Sequence, residues 1–354
     1  MSETARSPLD VLKSIVKRQY FWGIVAIVLL LVINVIKDPG YLAISIGGNG
    51  NLVGNLIDIL RAAAPVMMIA VGMCLVIATK GIDLSVGSVM AVGGAVAMEF
   101  LHSAPNTAGS AFAALGLVIV VTALLGAING LLVSVVGLQP FISTLVLMMA
   151  GRGLAKVITG GQNTAASNDL FSWLANGYVL GLPVVFLLAL IIVVAVGLIV
   201  RRSALGLMIE AVGMDSKAAR LAGINRRALL FTVYILGGVL AGIAGIFATA
   251  SVMTVDVSRT GYLLELDAIL AVVIGGTSLM GGKFNITGAT IGAILIATLD
   301  KTVVFLGVSS AATPAFKAIV IVALCLLQSE RVRSAFRQRR AKKPARAERE
   351  VVAA

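Results

Sequence analysis

The sequence predicts an all-α membrane protein, a polytopic bundle of about ten transmembrane helices with short or broken Gly-rich segments and both termini cytoplasmic. Three observations predict it. Of 354 residues, 59% are hydrophobic and 12% charged, with mean hydropathy +1.04, against about 25% charged residues in a soluble domain. Too few polar side chains exist to cover a water-soluble surface of this size, so the bilayer is the matching solvent. The apolar residues are gathered into ten runs, and the basic residues into the segments between alternate runs.

The runs lie near 20–36, 62–79, 86–101, 111–137, 140–158, 179–200, 228–250, 266–282, 286–307 and 314–328. A helix needs about 20 residues to cross roughly 30 Å of hydrocarbon. The 86–101 and 266–282 runs are shorter and rich in Gly. Such runs are either broken helices of the kind that line transport sites or helices packed closely through small residues; composition leaves both open. The first run leads into Lys37-Asp38-Pro39-Gly40 without a small-residue cleavage pattern, so no removed leader is expected.

Ten crossings place both termini on one side. Under that topology 21 of the 28 basic residues face the cytoplasm: Arg6, Lys13, Lys17 and Arg18, then Lys80, six residues in 201–227, Lys283, and nine between Arg331 and Arg349. This is the positive-inside bias. The net charge of +12 therefore reflects membrane orientation, and no nucleic-acid partner is expected. Residues 1–19 form a cytoplasmic segment, 20–328 the transmembrane domain, and 329–354 a basic cytoplasmic tail expected to be disordered.

The loop 201–227 mixes charges with Ala, Leu and Ile at helical spacing. Asp215-Ser216 suits the cap of a short helix bearing Lys217 and Arg220. An amphipathic element of this kind needs a surface, either lipid headgroups or a partner protein. The loop 159–181 is polar and long for a connection. Its Phe171, Trp173 and Tyr178 belong either to an interfacial aromatic belt or to a docking surface.

Cys74 and Cys325 lie inside apolar runs and read as small buried hydrophobes. His102 is the only histidine, which leaves no metal cluster. Thr277 to Phe284 approaches a phosphate-cradling loop, but Thr277 stands where Gly is required and Phe284 where Ser or Thr is required. No nucleophile–base pair is present either. No catalytic residue, metal or cofactor is expected, and the chain is read as a non-enzyme.

Polar side chains within apolar runs are costly, about 2.5–3.5 kcal/mol for a central charge, so they face protein or water. Here they are Asp58, Arg61, Asn129, Gln139, Ser143, Thr144, Arg152, Thr277, Ser278 and Asp300. Asn129, Gln139, Ser143, Thr144, Thr277 and Ser278 are candidates to line a path for a polar solute. The same groups also suit hydrogen bonds between helices. Asp83, in a turn between two runs, suits a structural role with Ser85 capping the next helix.

The segment Ala78-Thr79-Lys80-Gly81-Ile82-Asp83-Leu84-Ser85-Val86-Gly87-Ser88-Val89-Met90-Ala91 resembles the signature of ribose-type sugar ABC transporter permeases. Three more stretches agree in order: Gln139-Pro140-Phe141-Ile142-Ser143-Thr144-Leu145 with Gly151-Arg152-Gly153; Gly206 to Gly223; and Ala268 to Gly282. The resemblance covers about residues 50–330. Ile57 to Pro65, Met149 to Gly153 and Leu264 to Val273 are most similar to galactofuranose-type members.

The resemblance implies an inner-membrane subunit of a bacterial importer, moving a galactofuranose-, galactose- or ribose-like monosaccharide. It implies three partners: a cytoplasmic ABC ATPase that hydrolyses ATP, a periplasmic sugar-binding protein, and a second permease subunit, either identical or related. Glu210, Ala211, Val212, Gly213, Ala218, Ala219 and Gly223 would couple to the ATPase. Gly81, Ile82, Asp83, Leu84, Ser85 and Gly87 carry the signature. From the residues alone, a proton-coupled secondary transporter using Asp58 or Asp300 is the competing reading.

Overall fold

The computed structural model describes residues 19–48, 50–309 and 311–328. Residues 1–18, the basic tail 329–354 and the side chain of Cys325 lie outside the described residues. The described helices are α1 (Gln19–Lys37), α2 (Asn55–Ala78), α3 (Val86–Ser103), α4 (Ala108–Leu131), α5 (Pro140–Ile158), α6 (Asp169–Asn176), α7 (Val184–Arg202), α8 (Ala204–Met214), α9 (Ser216–Leu221), α10 (Arg226–Val252), α11 (Leu264–Ile274), α12 (Ile286–Phe305) and α13 (Thr313–Gln328).

Each of the ten apolar runs contains one of these helices. Eight of them, α1 to α5, α7, α10 and α12, are long and apolar enough to cross a membrane. The remaining two are α11, with 11 residues, and α13, with 16. The protein is an all-α polytopic membrane bundle.

Helix α2 is its axis. Its sequence is apolar on every side, as a fully enclosed helix requires, and 78% of its apolar window is buried against 28% for α7. Helices α7, α10, α11 and α12 all pack on it. The peripheral α1, α4, α5 and α7 keep apolar side chains such as Leu29, Leu124, Met149 and Ile191 exposed, as lipid-facing helices do. Helices α4 and α10 approach through glycine: a Cβ on Gly238 would lie 2.9 Å from the Gly126 Cα. With no hydrophobic drive between helices in lipid, close backbone approach supplies the dispersion contact.

The two Gly-rich runs resolve differently. The 86–101 run is a continuous helix, α3, and its glycines permit close packing; a Cβ on Gly94 would strike Thr249. The 266–282 run is broken. After α10, Thr254–Val255 pairs with Thr164–Ala165 as a two-residue ribbon. The chain then runs back along α3, with Val255 beside Gly94 and the Gly261 carbonyl against Gly87. Helix α11 thus starts level with the first turn of α3 and covers only part of the bundle's depth. Left-handed Met253 (φ 49) and Leu263 (φ 59), in a conformation that L side chains adopt uncommonly, turn the backbone at the two ends of this non-helical segment, a short strand followed by consecutive turns.

The loops sort to two ends. At one end Lys80 reaches Met214 and Gly282 reaches Ala78, uniting the turn after α2, the 203–225 segment and the α11–α12 loop. At the other, Lys37 donates to the Phe305 carbonyl, Asn168 to Thr107, and Asn176 to Ala250 and Ser251. The aromatic residues of the 159–181 loop separate: Phe171 is fully buried, Tyr178 accepts a hydrogen bond from Arg61 at 2.7 Å, and Trp173 is exposed.

Candidate functional site

The turn between α2 and α3 is built around Asp83. Its Oδ1 accepts the Ser85 N–H at 2.9 Å and the Ser85 hydroxyl at 2.6 Å. The Asn129 amide donates to Ser85 Oγ at 2.9 Å, and Ser143 Oγ donates to Asn129 Oδ1 at 3.2 Å. Thr144 donates to the Ile82 carbonyl at 3.2 Å and to Pro140 at 2.9 Å. All five polar side chains are buried. Buried polar groups must be paired, and here the pairing ties α3, α4 and α5 to one turn. Burial pushes the Asp83 carboxyl above its ordinary range, against the two Ser85 hydrogen bonds. The network brings together Asp83 and Ser85 of the signature and three of the six path candidates, in bonds between elements.

Two signature glycines have steric reasons. A Cβ on Gly81 would lie 2.8 Å from the Tyr234 hydroxyl, and one on Gly87 would collide with the Gly261 carbonyl. Leu84 and Ile82 fill the turn between them.

A second junction lies beside this turn. Gly282 N–H donates to the Ala78 carbonyl at 2.9 Å, and Lys80 Nζ donates to the Met214 carbonyl at 3.0 Å. A Cβ on Gly213 would collide with Ala78 O and lie 2.5 Å from Gly282 N. Three segments far apart in sequence thus meet backbone to backbone at Gly213, flanked by the Lys80 and Met214 side chains. The predicted coupling residues divide by exposure: Val212, Gly213 and Ala219 are buried, Glu210 and Ala211 half-buried, Ala218 and Gly223 exposed. Asp215 caps α9, accepting the Lys217 and Ala218 N–H groups at 2.8 and 3.2 Å, which holds its carboxyl below its ordinary range. Leu207, Met214 and Leu221 leave apolar side chains on the surface of this segment.

The other path candidates lie elsewhere. Gln139 is exposed just ahead of α5. Thr277 is buried, hydrogen-bonded to Cys74 Sγ at 3.3 Å and accepting the Asn285 N–H at 3.0 Å. Ser278 is half-buried, and its Oγ accepts the Met280 N–H. Both sit in the loop between α11 and α12.

Ionic groups gather around α11. The Arg152 guanidinium donates to the carbonyls of Thr260 and Gly261 at 2.5 and 2.6 Å, pairing backbone acceptors in the turns that lead into α11. Lys317 lies 2.8 Å from both Asp267 and Asp300. Asp58 pairs with Lys301 at 2.7 Å. Glu265 and Asp267 are buried and were not among the sequence candidates. The available signal was two carboxylates within four residues of an apolar run.

Residues 55–327 match the family described as the branched-chain amino acid transport system / permease component. The chain belongs to this permease family. Within it, the chain is similar to sugar permeases. It is 49% identical to the fructose import permease protein FruF of Bifidobacterium longum over the whole of both chains. It is 40% identical to the galactofuranose transporter permease protein YtfT of Escherichia coli, over 89% of this chain and 92% of the relative. The ribose import permease protein RbsC of Escherichia coli is 38% identical over 87% and 93%. No solved structure matches the chain. The resemblance to ribose-type sugar permeases, read from the 78–91 signature, thus stands on the whole transmembrane region. This sugar permease is a transport subunit built as a bundle around α2.

Proposed function

We propose that this permease is the inner-membrane subunit of a bacterial ABC importer that moves a monosaccharide, with fructose the first sugar to test. The relative named for fructose is the most alike of the three over the full chain. The sugars in the three relatives' names share a chemical feature, a furanose ring form carrying several hydroxyls. A path for such solutes needs hydrogen-bond donors and acceptors rather than a deep apolar pocket.

The observation that carries the reading is the glycine junction of Gly213, Gly282 and Ala78. The segment from Ala204 to Leu221, with exposed Leu207, Met214 and Leu221, is the surface for a cytoplasmic ATPase. Glu210, Ala211, Ala218 and Gly223 belong to that surface; Val212, Gly213 and Ala219 seat it. Motion imposed there passes through Gly213 to the end of α2 and to the α11–α12 loop, because Gly213 meets Ala78 and Gly282 backbone to backbone. Close backbone contacts transmit displacement instead of absorbing it.

The path runs past α11. Non-helical backbone within a membrane is tolerated where it lines a cavity or is enclosed by protein, and residues 253–263, a short strand and a run of turns, are the approach to this half-helix. Thr277 and Ser278 mark its inner end. The Asp83–Ser85–Asn129–Ser143 network, with Thr144, holds α3, α4 and α5 as one moving unit. Asp58 and Asp300 are each held by a lysine, which favours structural ion pairs over proton relays. A periplasmic sugar-binding protein and a second permease subunit complete the importer.

Affinity purification of this chain from gently solubilised native membranes tests the assembly. Co-purification of a P-loop ATPase and a second permease-like chain is expected. Recovery of the chain alone, with fructose transport retained, would contradict it.

A further inference from the structure

We infer that the permease carries a binding site for an anionic phospholipid at its basic end, between the end of α4 and the start of α10. The inference needs only the membrane placement of the chain; it does not depend on which solute is transported.

Helix α4 ends in a π-helical turn, Leu132–Val136, closed by left-handed Gly137. Such turns are rare and are found frequently at functional sites. Beside it lies a cleft of about 630 Å³ whose lining includes Ser134, Arg220, Arg226 and Arg227. That volume is in the range of ligand sites. Among the described residues no carboxylate lines it, and none of the three guanidiniums forms an ion pair. All three arginines are exposed.

The Ser134 hydroxyl is the second observation. Ser134 is 5% exposed, and its Oγ has no hydrogen-bond partner. Helical hydroxyls ordinarily bond back to the carbonyl four residues earlier. Thr122, Thr249, Thr290 and Thr298 all do so here. Ser134 does not, and it forms part of the cleft wall. An unpaired buried hydroxyl is costly unless a ligand satisfies it.

An apolar groove of about 280 Å³ continues from the cleft and shares Ser134, Val135 and Arg227 with it. Leu131 and Phe231 complete its wall, and Leu131 and Val135 are about half exposed. A site with cations at one end and an apolar trough at the other matches a phosphate headgroup and its acyl chain. Basic clusters next to membrane helices on the cytoplasmic side recognise anionic lipid headgroups in this way. Arginine suits the role because its planar fork pairs two phosphate oxygens. The chain's own tail is a poor occupant, since it carries nine basic residues between Arg331 and Arg349.

The test is native mass spectrometry of the full-length chain in detergent, with phosphatidylglycerol and phosphatidylcholine in turn. Preferential retention of phosphatidylglycerol is expected. The triple substitution Arg220→Gln, Arg226→Gln, Arg227→Gln should weaken that preference about tenfold or more, given the attraction each cation contributes near an anionic surface. Ser134→Ala is the milder variant, should the triple variant misfold, and should weaken it by a smaller factor. Val135→Trp, which fills the apolar trough, should weaken both lipids. Equal retention of the two lipids, or a preference unchanged in the arginine and serine variants, overturns the inference. Full displacement by inorganic phosphate would assign the cleft to a free anion and overturn the lipid. Arginine variants that keep the lipid preference but lose stimulation of the partner ATPase would assign the cleft to that protein, with the same consequence.

Discussion

The Gly282 N–H donates to the Ala78 carbonyl at 2.9 Å, joining the end of α2 to the loop that leads out of α11. Gly213 packs against the same carbonyl, where a Cβ would overlap the oxygen. One carbonyl therefore ties together the axial helix, the half-helix and the segment proposed to meet the ATPase.

Gly213→Leu forces these backbones apart. Overpacking of this kind costs about 1–3 kcal/mol. The expected result is a bundle that still inserts but whose sugar uptake falls roughly tenfold or more, as loss of about 1.4 kcal/mol of coupling would produce. Glu210→Lys, on the half-buried side of the same helix, should also impair coupling. ATPase stimulation and uptake, measured together in both variants, check this; normal values in both would reject the junction's role.

Asn129 bridges Ser85 and Ser143. Replacing it with Leu leaves the buried Ser143 hydroxyl without its acceptor, at about 1–3 kcal/mol for an unsatisfied group, while Ser85 loses one donor and keeps its bond to Asp83. Thermal unfolding in detergent should begin at a clearly lower temperature than in the wild type. Asn129→Gln, which keeps an amide, should lose less.

Asp83 gives a pH prediction. Burial raises its folded-state pKa above the ordinary value of 3.8. A carboxyl so raised binds its proton more tightly in the folded state, so its contribution to stability is complete below 3.8 and is lost as pH rises through the folded value. Asp83→Asn removes that dependence while keeping an acceptor for Ser85. Unfolding midpoints across a pH series should fall with rising pH in the wild type by more than in the variant. Parallel curves would show that Asp83 does not titrate as described.

Arg152 holds two carbonyls of the turns that precede α11. Arg152→Lys keeps the charge and loses the planar fork, so uptake should drop to an intermediate level. Arg152→Met should drop it further. Limited proteolysis near Thr260 should accelerate in the same order.

Much of the fold was legible because a bilayer enforces simple rules. All ten apolar runs contain helices, and among the described residues the Lys80 turn, the 203–225 segment and the loop bearing Lys283 meet at one end. The broken 266–282 run was visible in its glycines, whereas the equally Gly-rich 86–101 run is continuous. Glycine count does not separate the two cases, because close packing and chain reversal both need a missing side chain. The non-helical approach at 253–263 packs against Gly87 and Gly94 on a distant helix, contacts that no local pattern encodes. Asn129, Ser143 and Thr144 were visible as costly polar groups, but their partners come from three helices and a turn. Glu265 and Asp267 hid in a run read mainly for its glycines.

The most direct measurement is uptake of labelled fructose into proteoliposomes. They would contain this chain with its co-purified ATPase and second permease subunit, and the sugar-binding protein would be supplied outside. Accumulation that requires ATP and stops in the Gly213→Leu variant is the predicted result. Fructose uptake by this chain alone, driven by a pH gradient without ATP, would contradict the account.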